Sequence, residues 1–212
     1  MIGVSSLNPY LLPALAGLVT GAGLIIAIGP QNVFVLRQGV RREHVGAVVA
    51  VCAVSDVVLI GAGVVGLGAL VAARPGFVTA ATIAGGCYLV VLGLMAARRA
   101  ARPAGALTAN PDDALAPSRW AAIGTAVALT WLNPHVYLDT VVTMGAIANG
   151  HGSGKWAFAV GACLASLLWF SALGGGATML SGVFASVRAW RILDAVVAVI
   201  MLGMGVGLIV SA

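Results

Sequence analysis

Two carboxylates interrupt stretches of this chain that are otherwise almost wholly apolar. Asp56 lies in Ala53-Val54-Ser55-Asp56-Val57-Val58-Leu59. Asp139 falls near the end of a polar run, Thr130-Trp131-Leu132-Asn133-Pro134-His135-Val136-Tyr137-Leu138-Asp139-Thr140, whose flanks from Ala121 to Leu129 and Val141 to Ala148 are apolar. Inside a bilayer a mid-span carboxylate costs about 2.5–3.5 kcal/mol even on lenient insertion scales, so each needs a reason. The bland reading of Asp56 is an interhelical hydrogen bond or a pairing with an arginine. The functional reading is a proton or cation site facing a cavity, and it is favoured because no basic residue lies well inside an apolar run. Asp139 follows His135 by four residues, so the two would share a helical face. Its bland alternative is a cap on a broken helix.

Around Pro30 and Pro134 the side chains are amides. Gly29-Pro30-Gln31-Asn32 and Asn133-Pro134-His135 each set a helix breaker beside polar groups. Proline removes a backbone donor and frees a carbonyl one turn earlier. Freed carbonyls and amides can hold an ammonium, while N–H groups at a helix restart can hold a carboxylate. That combination suits a zwitterion. His135 and Tyr137 are less specific, since a lone intramembrane imidazole or phenol often only packs and hydrogen-bonds. Trp131 and Trp169, within the apolar runs, read mainly as core or lipid-facing residues. The glycine runs Gly61-Ala62-Gly63 and Gly174-Gly175-Gly176 read as close helix contacts.

No phosphate-binding glycine loop, zinc-ligand spacing or nucleophile elbow occurs, so no enzyme is indicated and no cofactor or metal is expected. Cys52, Cys87 and Cys163 have no paired spacing and read as packing residues. Energy for any transport would come from an ion gradient.

The elements that must position these groups follow from composition. Of 212 residues 61% are apolar and 8% charged, and the mean hydropathy is +1.08. Soluble domains are about half apolar and about a quarter charged, so this is a polytopic membrane protein. A helical span needs roughly 20 apolar residues. Six such runs are found, near Tyr10–Leu36, Val45–Ala73, Phe77–Ala97, Trp120–Ala148, Trp156–Leu180 and Ile192–Val210. The first is long and has no preceding Lys or Arg, so it reads as a retained span and not a cleaved signal peptide. The pI near 9.7 does not imply nucleic acid, because the basic residues lie in short loops and not on one folded face. Arg37, Arg41, Arg42, Arg98, Arg99, Arg102, Arg119, Arg188 and Arg191 fall after odd-numbered spans, and only Arg74 and Lys155 after even ones. The positive-inside rule then places the odd loops in the cytoplasm and both termini outside. Trp120, Trp156 and Trp190 sit at span ends as interfacial anchors. The preponderance of Arg over Lys, with abundant Ala, Gly and Val, suggests a bacterium, and hence its inner membrane.

Six spans divide into two triplets of opposite orientation. Gly29-Pro30-Gln31 answers Asn133-Pro134-His135, Cys52-Ala53-Val54-Ser55 answers Cys163-Leu164-Ala165-Ser166, and Leu92-Gly93-Leu94-Met95 resembles Leu202-Gly203-Met204-Gly205. The expected fold is therefore an all-α membrane protein, a single transporter domain of two inverted three-helix repeats. Repeat 1 covers about 1–100, a cytoplasmic linker 101–118 and repeat 2 about 119–212, with helices 1 and 4 broken at proline. By this alignment the counterpart of Asp56 is Leu167, so the acid comes from one half only.

Ile28-Gly29-Pro30-Gln31-Asn32-Val33-Phe34-Val35-Leu36-Arg37-Gln38-Gly39 resembles the first-span motif of the lysine/arginine exporter family. Val54 to Ile60, Thr130 to Thr140 and Ser166 to Phe170 are similar to its second, fourth and fifth spans. The likeness covers almost the whole chain and weakens between Arg102 and Ser118. A related homoserine/threonine branch usually carries an Asn-Pro-Lys type motif in the fourth span without the acid. His135 and Asp139 thus place this chain nearer the basic amino-acid branch. The resemblance implies a secondary exporter of L-lysine, L-arginine or both.

Such export works against an inside-negative potential, at roughly 2.3 kcal/mol per charge per 100 mV, and so needs coupling. The expected scheme has Asp56, assisted by Asp139, holding the substrate cation until a proton competes for the desolvated carboxylate. Gln31, Asn32, Asn133 and the carbonyls near Pro30 and Pro134 would bind the α-groups, and rocking of the halves would alternate access. The expected partners are the amino acid, protons and the lipid bilayer, with a homodimer compatible. Alternatives are export of neutral amino acids or of a divalent metal cation held by His135, Asp139 and Asp56. An intramembrane aspartyl hydrolase is weaker still, since no Gly-x-Gly-Asp motif surrounds either acid.

Overall fold

The computed structural model describes residues 8–26, 29–68, 73, 75–101, 118–179 and 187–211. Arg74, Arg102 and the expected linker between residues 102 and 117 lie outside the described residues. The described secondary structure is helical throughout. In chain order it comprises α1 (Leu11–Ile25), α2 (Pro30–Arg41), α3 (Val45–Val65), α4 (Pro75–Ala101), α5 (Arg119–Trp131) and α6 (Pro134–Val136). A π-helical segment (Tyr137–Thr143), α7 (Met144–Gly150), a 3₁₀ turn (Gly152–Gly154), α8 (Lys155–Met179) and α9 (Val187–Ser211) complete it.

Proline sets two of the boundaries. The residue before a proline is pushed out of the helical region, and proline itself is well suited to a first helical position. Gly29 is accordingly extended, with φ −123° and ψ 175°, and Pro30 opens α2. Likewise α5 stops at Trp131 and the next helical residue is Pro134. At the other end of α5, Ser118 Oγ accepts a hydrogen bond from the Ala121 N–H at 3.2 Å. This serine cap satisfies one of the donors that a helix start leaves unpaired.

Segments Val45–Val65, Thr82–Ala101, Gly152–Met179 and Arg188–Ser211 are long and apolar enough to cross a membrane. A fifth span is reached if α1 and α2 count as one interrupted crossing. The run expected as the fourth span, Trp120–Ala148, is divided among α5, α6, the π segment and α7. On α3 the burial pattern repeats at helical spacing. Cys52, Ser55, Asp56, Leu59, Ile60 and Val64 are buried, whereas Val54, Val57, Val58 and Val65 are exposed. An exposed face made of valine has no place in water and suits lipid.

The chain forms two compact units, each drawing on several stretches of sequence. The first contains residues 1–27, 53–78 and 134–170. Its core is Ile60, Val64, Met144, Ala148, Phe158, Ala159 and Ala162, with Leu24 and Ile25 packed against it. Glycine permits its tightest approach. A Cβ at Gly161 would collide with the Ala14 carbonyl, and one at Gly17 with the Phe158 carbonyl, so α1 and α8 meet backbone to backbone.

The second unit contains residues 28–52, 79–133 and 171–212. One cluster joins Val33 of α2, Ala96 of α4 and Leu193, Val197, Ala198 and Met201 of α9. Another joins Leu89, Leu129 and Leu208. Gly85 of α4 lies directly on the Leu132 carbonyl at the end of α5, where a Cβ could not fit. Of the two glycine runs, only Gly63 and Gly174 make such contacts, while Gly61, Gly175 and Gly176 face open space.

Candidate functional site

Asp56 belongs to the first unit. It is 4% exposed, and its carboxylate accepts a hydrogen bond from Ser166 Oγ at 2.6 Å. Ser166 is fully buried on α8. Among the described residues the ion pairs are Arg37–Asp194, Arg41–Glu43 and Arg99–Asp194, so Asp56 has no cationic partner there. Its hydrogen bond is charge-assisted but leaves the charge uncancelled. A carboxylate so placed is open to competition between a proton and an incoming cation.

Pro134, His135, Tyr137 and Asp139 belong to the same unit. His135 is exposed, and Tyr137 and Asp139 are partly buried. The imidazole lies close enough to act on the Asp139 carboxylate electrostatically. Between them the backbone leaves the α pattern, because the Met144 N–H reaches the Asp139 carbonyl, five residues back. Segments of this kind are uncommon and concentrate at functional positions. The threonines that bracket the motif turn inward on their own helices. Thr130 Oγ1 donates to the Ala126 carbonyl at 2.9 Å, and Thr140 Oγ1 donates to that of Val136.

Gly29, Pro30, Gln31, Asn32 and Asn133 belong to the second unit. Asn32 is buried. Gln31 keeps its Nε2 buried with no hydrogen-bond partner among the described residues. Pro30 and Asn133 line one small cavity together with Gly85, Tyr88 and Leu132. Its volume is about 10 Å³, far below the roughly 300 Å³ at which small-molecule sites begin.

Three features escaped the sequence reading. Ser166 stood out only as one of a pair of matched serines, with nothing to say which helix it faced. The π segment has no compositional mark. Asp194, third residue of the last expected span, is 7% exposed. It forms an ion pair with Arg37 Nη2 at 3.3 Å and accepts a hydrogen bond from Arg99 Nε at 3.2 Å. An acid inside an apolar run with Arg188 and Arg191 just before it was the available signal. Cys52 is buried, Cys163 partly buried and Cys87 exposed, and none of the three forms a disulfide among the described residues. No group of three or more His, Cys, Asp or Glu that could hold a metal occurs among the described residues.

Apolar spans with an acid buried against a neutral donor define a class, the multi-pass helical membrane protein. Within that class the chain belongs to the LysE type translocator family, which residues 22–212 match. A protein of Mycobacterium tuberculosis, provisionally described as an amino-acid transporter, is 46% identical over 189 residues, covering 89% of this chain and 92% of that one. The lysine exporter LysE of Corynebacterium efficiens is 38% identical over 219 residues, covering 91% and 96%. The arginine exporter protein ArgO of Pectobacterium atrosepticum is 39% identical over 196 residues, covering 92% and 95%. No solved structure matches.

Proposed function

We propose that this protein exports basic amino acids, L-lysine, L-arginine or both, from a bacterial cytoplasm at the expense of the proton gradient. The observation that carries the reading is Asp56, buried on α3 and held by Ser166 with no cation beside it among the described residues. Support for the substrate class comes from relatives described as lysine and arginine exporters. Asp56 binds the substrate cation and afterwards a proton, which resets the carrier. Asp139, under the influence of His135, assists. Gln31, Asn32 and Asn133, with the carbonyls near Pro30 and Pro134, bind the α-ammonium and α-carboxylate as the substrate crosses. Tyr137 contributes a hydrogen bond from the π segment.

Counterflow in proteoliposomes with a panel of cationic and neutral amino acids tests the substrate class. The wild type should exchange labelled lysine or arginine, and an imposed pH gradient should accelerate it. Asp56→Asn should abolish the gradient-driven component, and proton-dependent export that survives it would refute the coupling role. Asp139→Asn should slow transport, and full activity would reduce that residue to structure. Exchange confined to neutral amino acids would move the chain to the runner-up reading.

A further inference from the structure

In the second unit α2, α4, α5 and α9 border a cavity of about 280 Å³. Its lining includes Arg37 and Arg41 of α2 and Arg99 of α4, with apolar residues such as Phe34, Leu92 and Met95. Asp194 pairs with Arg37 and Arg99, and Glu43 with Arg41. No other carboxylate of this unit occurs among the described residues. More arginines stand close by. Arg98 and Arg119 are exposed and neighbour the lining residues Arg99 and Ala121 in sequence. Arg191 Nε donates to the Ala100 carbonyl at 3.1 Å, at the end of α4. This end of the unit therefore keeps a surplus of positive charge.

Arg37 Nε is buried, so Arg37 contributes mainly charge. The reachable guanidiniums are those of Arg41 and Arg99, whose side chains are 27% and 26% exposed. Glu43 takes Nε and Nη2 of Arg41, and Asp194 takes Nε of Arg99. A guanidinium carries five N–H donors, so both keep donors for a ligand.

The level of the cavity along the helices is marked on two sides. Arg98 and Arg99 occupy the last turn of α4. Trp120, 77% exposed at the start of α5, precedes the lining residue Ala121, and exposed tryptophan at a helix end marks the headgroup level. From there Met95, Leu94 and Val91, each about half exposed, run back along one face of α4. Arg99 lies eight residues after Val91, about 12 Å of helix. Positive charge at headgroup level thus continues into an apolar strip that enters the hydrocarbon. A soluble anion would need the arginines but not the strip. A basic amino acid carries a net positive charge that the surplus repels. An amphiphile with an anionic head matches both features.

We propose that this cavity seats the phosphate of an anionic phospholipid on Arg41 and Arg99, with an acyl chain lying along Met95, Leu94 and Val91. The volume takes the phosphate and its glycerol and leaves the chains outside. By the positive-inside rule the lipid belongs to the cytoplasmic leaflet. Anionic lipids of that leaflet attract basic groups near the surface and fill basic pockets between helices. A zwitterionic phospholipid brings an ammonium beside its phosphate, and that ammonium meets the surplus charge. The seat therefore selects by net charge. The inference does not depend on what the chain transports.

The test is native mass spectrometry of the full chain, purified in detergent and titrated with phosphatidylglycerol or with phosphatidylcholine of the same acyl chains. The wild type should bind its first phosphatidylglycerol at least about tenfold more tightly than its first phosphatidylcholine, as expected for a hydrogen bond to a charged group. Arg41→Gln should weaken phosphatidylglycerol about tenfold and leave phosphatidylcholine unchanged. Ala121→Glu separates lost recognition from misfolding. It sets a carboxylate on the cavity lining, three residues after the cap Ser118. There a glutamate completes a capping box and is favoured by the helix dipole. This variant should melt no lower than the wild type and bind phosphatidylglycerol at least about tenfold more weakly. Arg188→Gln removes an exposed arginine outside the lining and should bind as the wild type does. Equal affinity for the two lipids, undiminished binding by folded Ala121→Glu, or equal losses in Arg41→Gln and Arg188→Gln would overturn the seat. Displacement of phosphatidylglycerol by equimolar glycerol 3-phosphate or inorganic phosphate would overturn it too, by making the cavity a site for soluble phosphate.

Discussion

Asp194→Asn isolates the energetic weight of the arginine triad. The amide keeps the size of the side chain but removes the only carboxylate that Arg37 and Arg99 share, at 3.3 and 3.2 Å. Two guanidiniums would then face each other across a nearly dry position, since Asp194 is 7% exposed. Removing one partner from a buried ion pair costs about 3–5 kcal/mol. The arginine side chains retain 18% and 26% exposure, so solvent screening favours the lower end, about 3 kcal/mol. For a chain of this size that corresponds to a fall in melting temperature of roughly 6–12 °C. The assay is thermal unfolding in lipid nanodiscs, followed by helical circular dichroism. Glu43→Gln, which breaks only the more exposed pairing with Arg41, should cost about 0–1 kcal/mol. The double variant Asp194→Asn/Arg99→Gln should recover part of the loss, because one stranded charge is gone. If Asp194→Asn melts with the wild type, or if the double variant is worse than the single, the triad does not tie α2, α4 and α9 together.

Ser166→Ala removes the single donor identified on the Asp56 carboxylate. It should destabilise the chain by about 1.5–3 kcal/mol, as for other hydrogen bonds to charged groups, and slow lysine transport. Wild-type behaviour in both the melt and the transport assay would mean that the hydrogen bond does not hold the acid. Gly85→Ala places a methyl group on the Leu132 carbonyl and should cost about 1–3 kcal/mol as the helices part. Gly124→Ala meets nothing within 4 Å and serves as its control in the same melt. Equal stability of the two would show that α4 does not press on the end of α5.

The membrane-spanning character and the burial of Asp56 were legible because both are matters of hydropathy. A carboxylate in an apolar run has to turn away from lipid, and α3 buries it while offering Val54, Val57 and Val58 outward. That helical segments begin at Pro30 and Pro134 fits the constraint proline places on its own residue and the one before it. What stayed hidden depends on pairing between distant segments. Nothing in the local sequence links Asp194 to Arg99, 95 residues away, and charges near a span end read equally well as loop charges. The π segment turns on whether an amide reaches back four residues or five. The energies of these choices are close, and composition does not distinguish them. Division into units was hidden for the same reason, since each collects stretches from both halves of the chain.

The position of Ser166 bears on why the acid at position 56 has no counterpart under the repeat alignment that the sequence suggests. Alignment of the halves sets Ser55 opposite Ser166 and Asp56 opposite Leu167. In the structure both serines are buried, Asp56 is buried, and Leu167 is 47% exposed. Both serines thus face inward, while the residue after each is a buried acid in one case and an outward-facing leucine in the other. The donor that holds the acid is the serine of α8. A second acid at position 167 would sit on the exposed apolar face of α8, where it would meet lipid at about 2.5–3.5 kcal/mol and gain no partner. The asymmetry therefore follows from which face each position presents. Of these two positions, only 56 faces away from lipid and can keep a carboxylate at low cost.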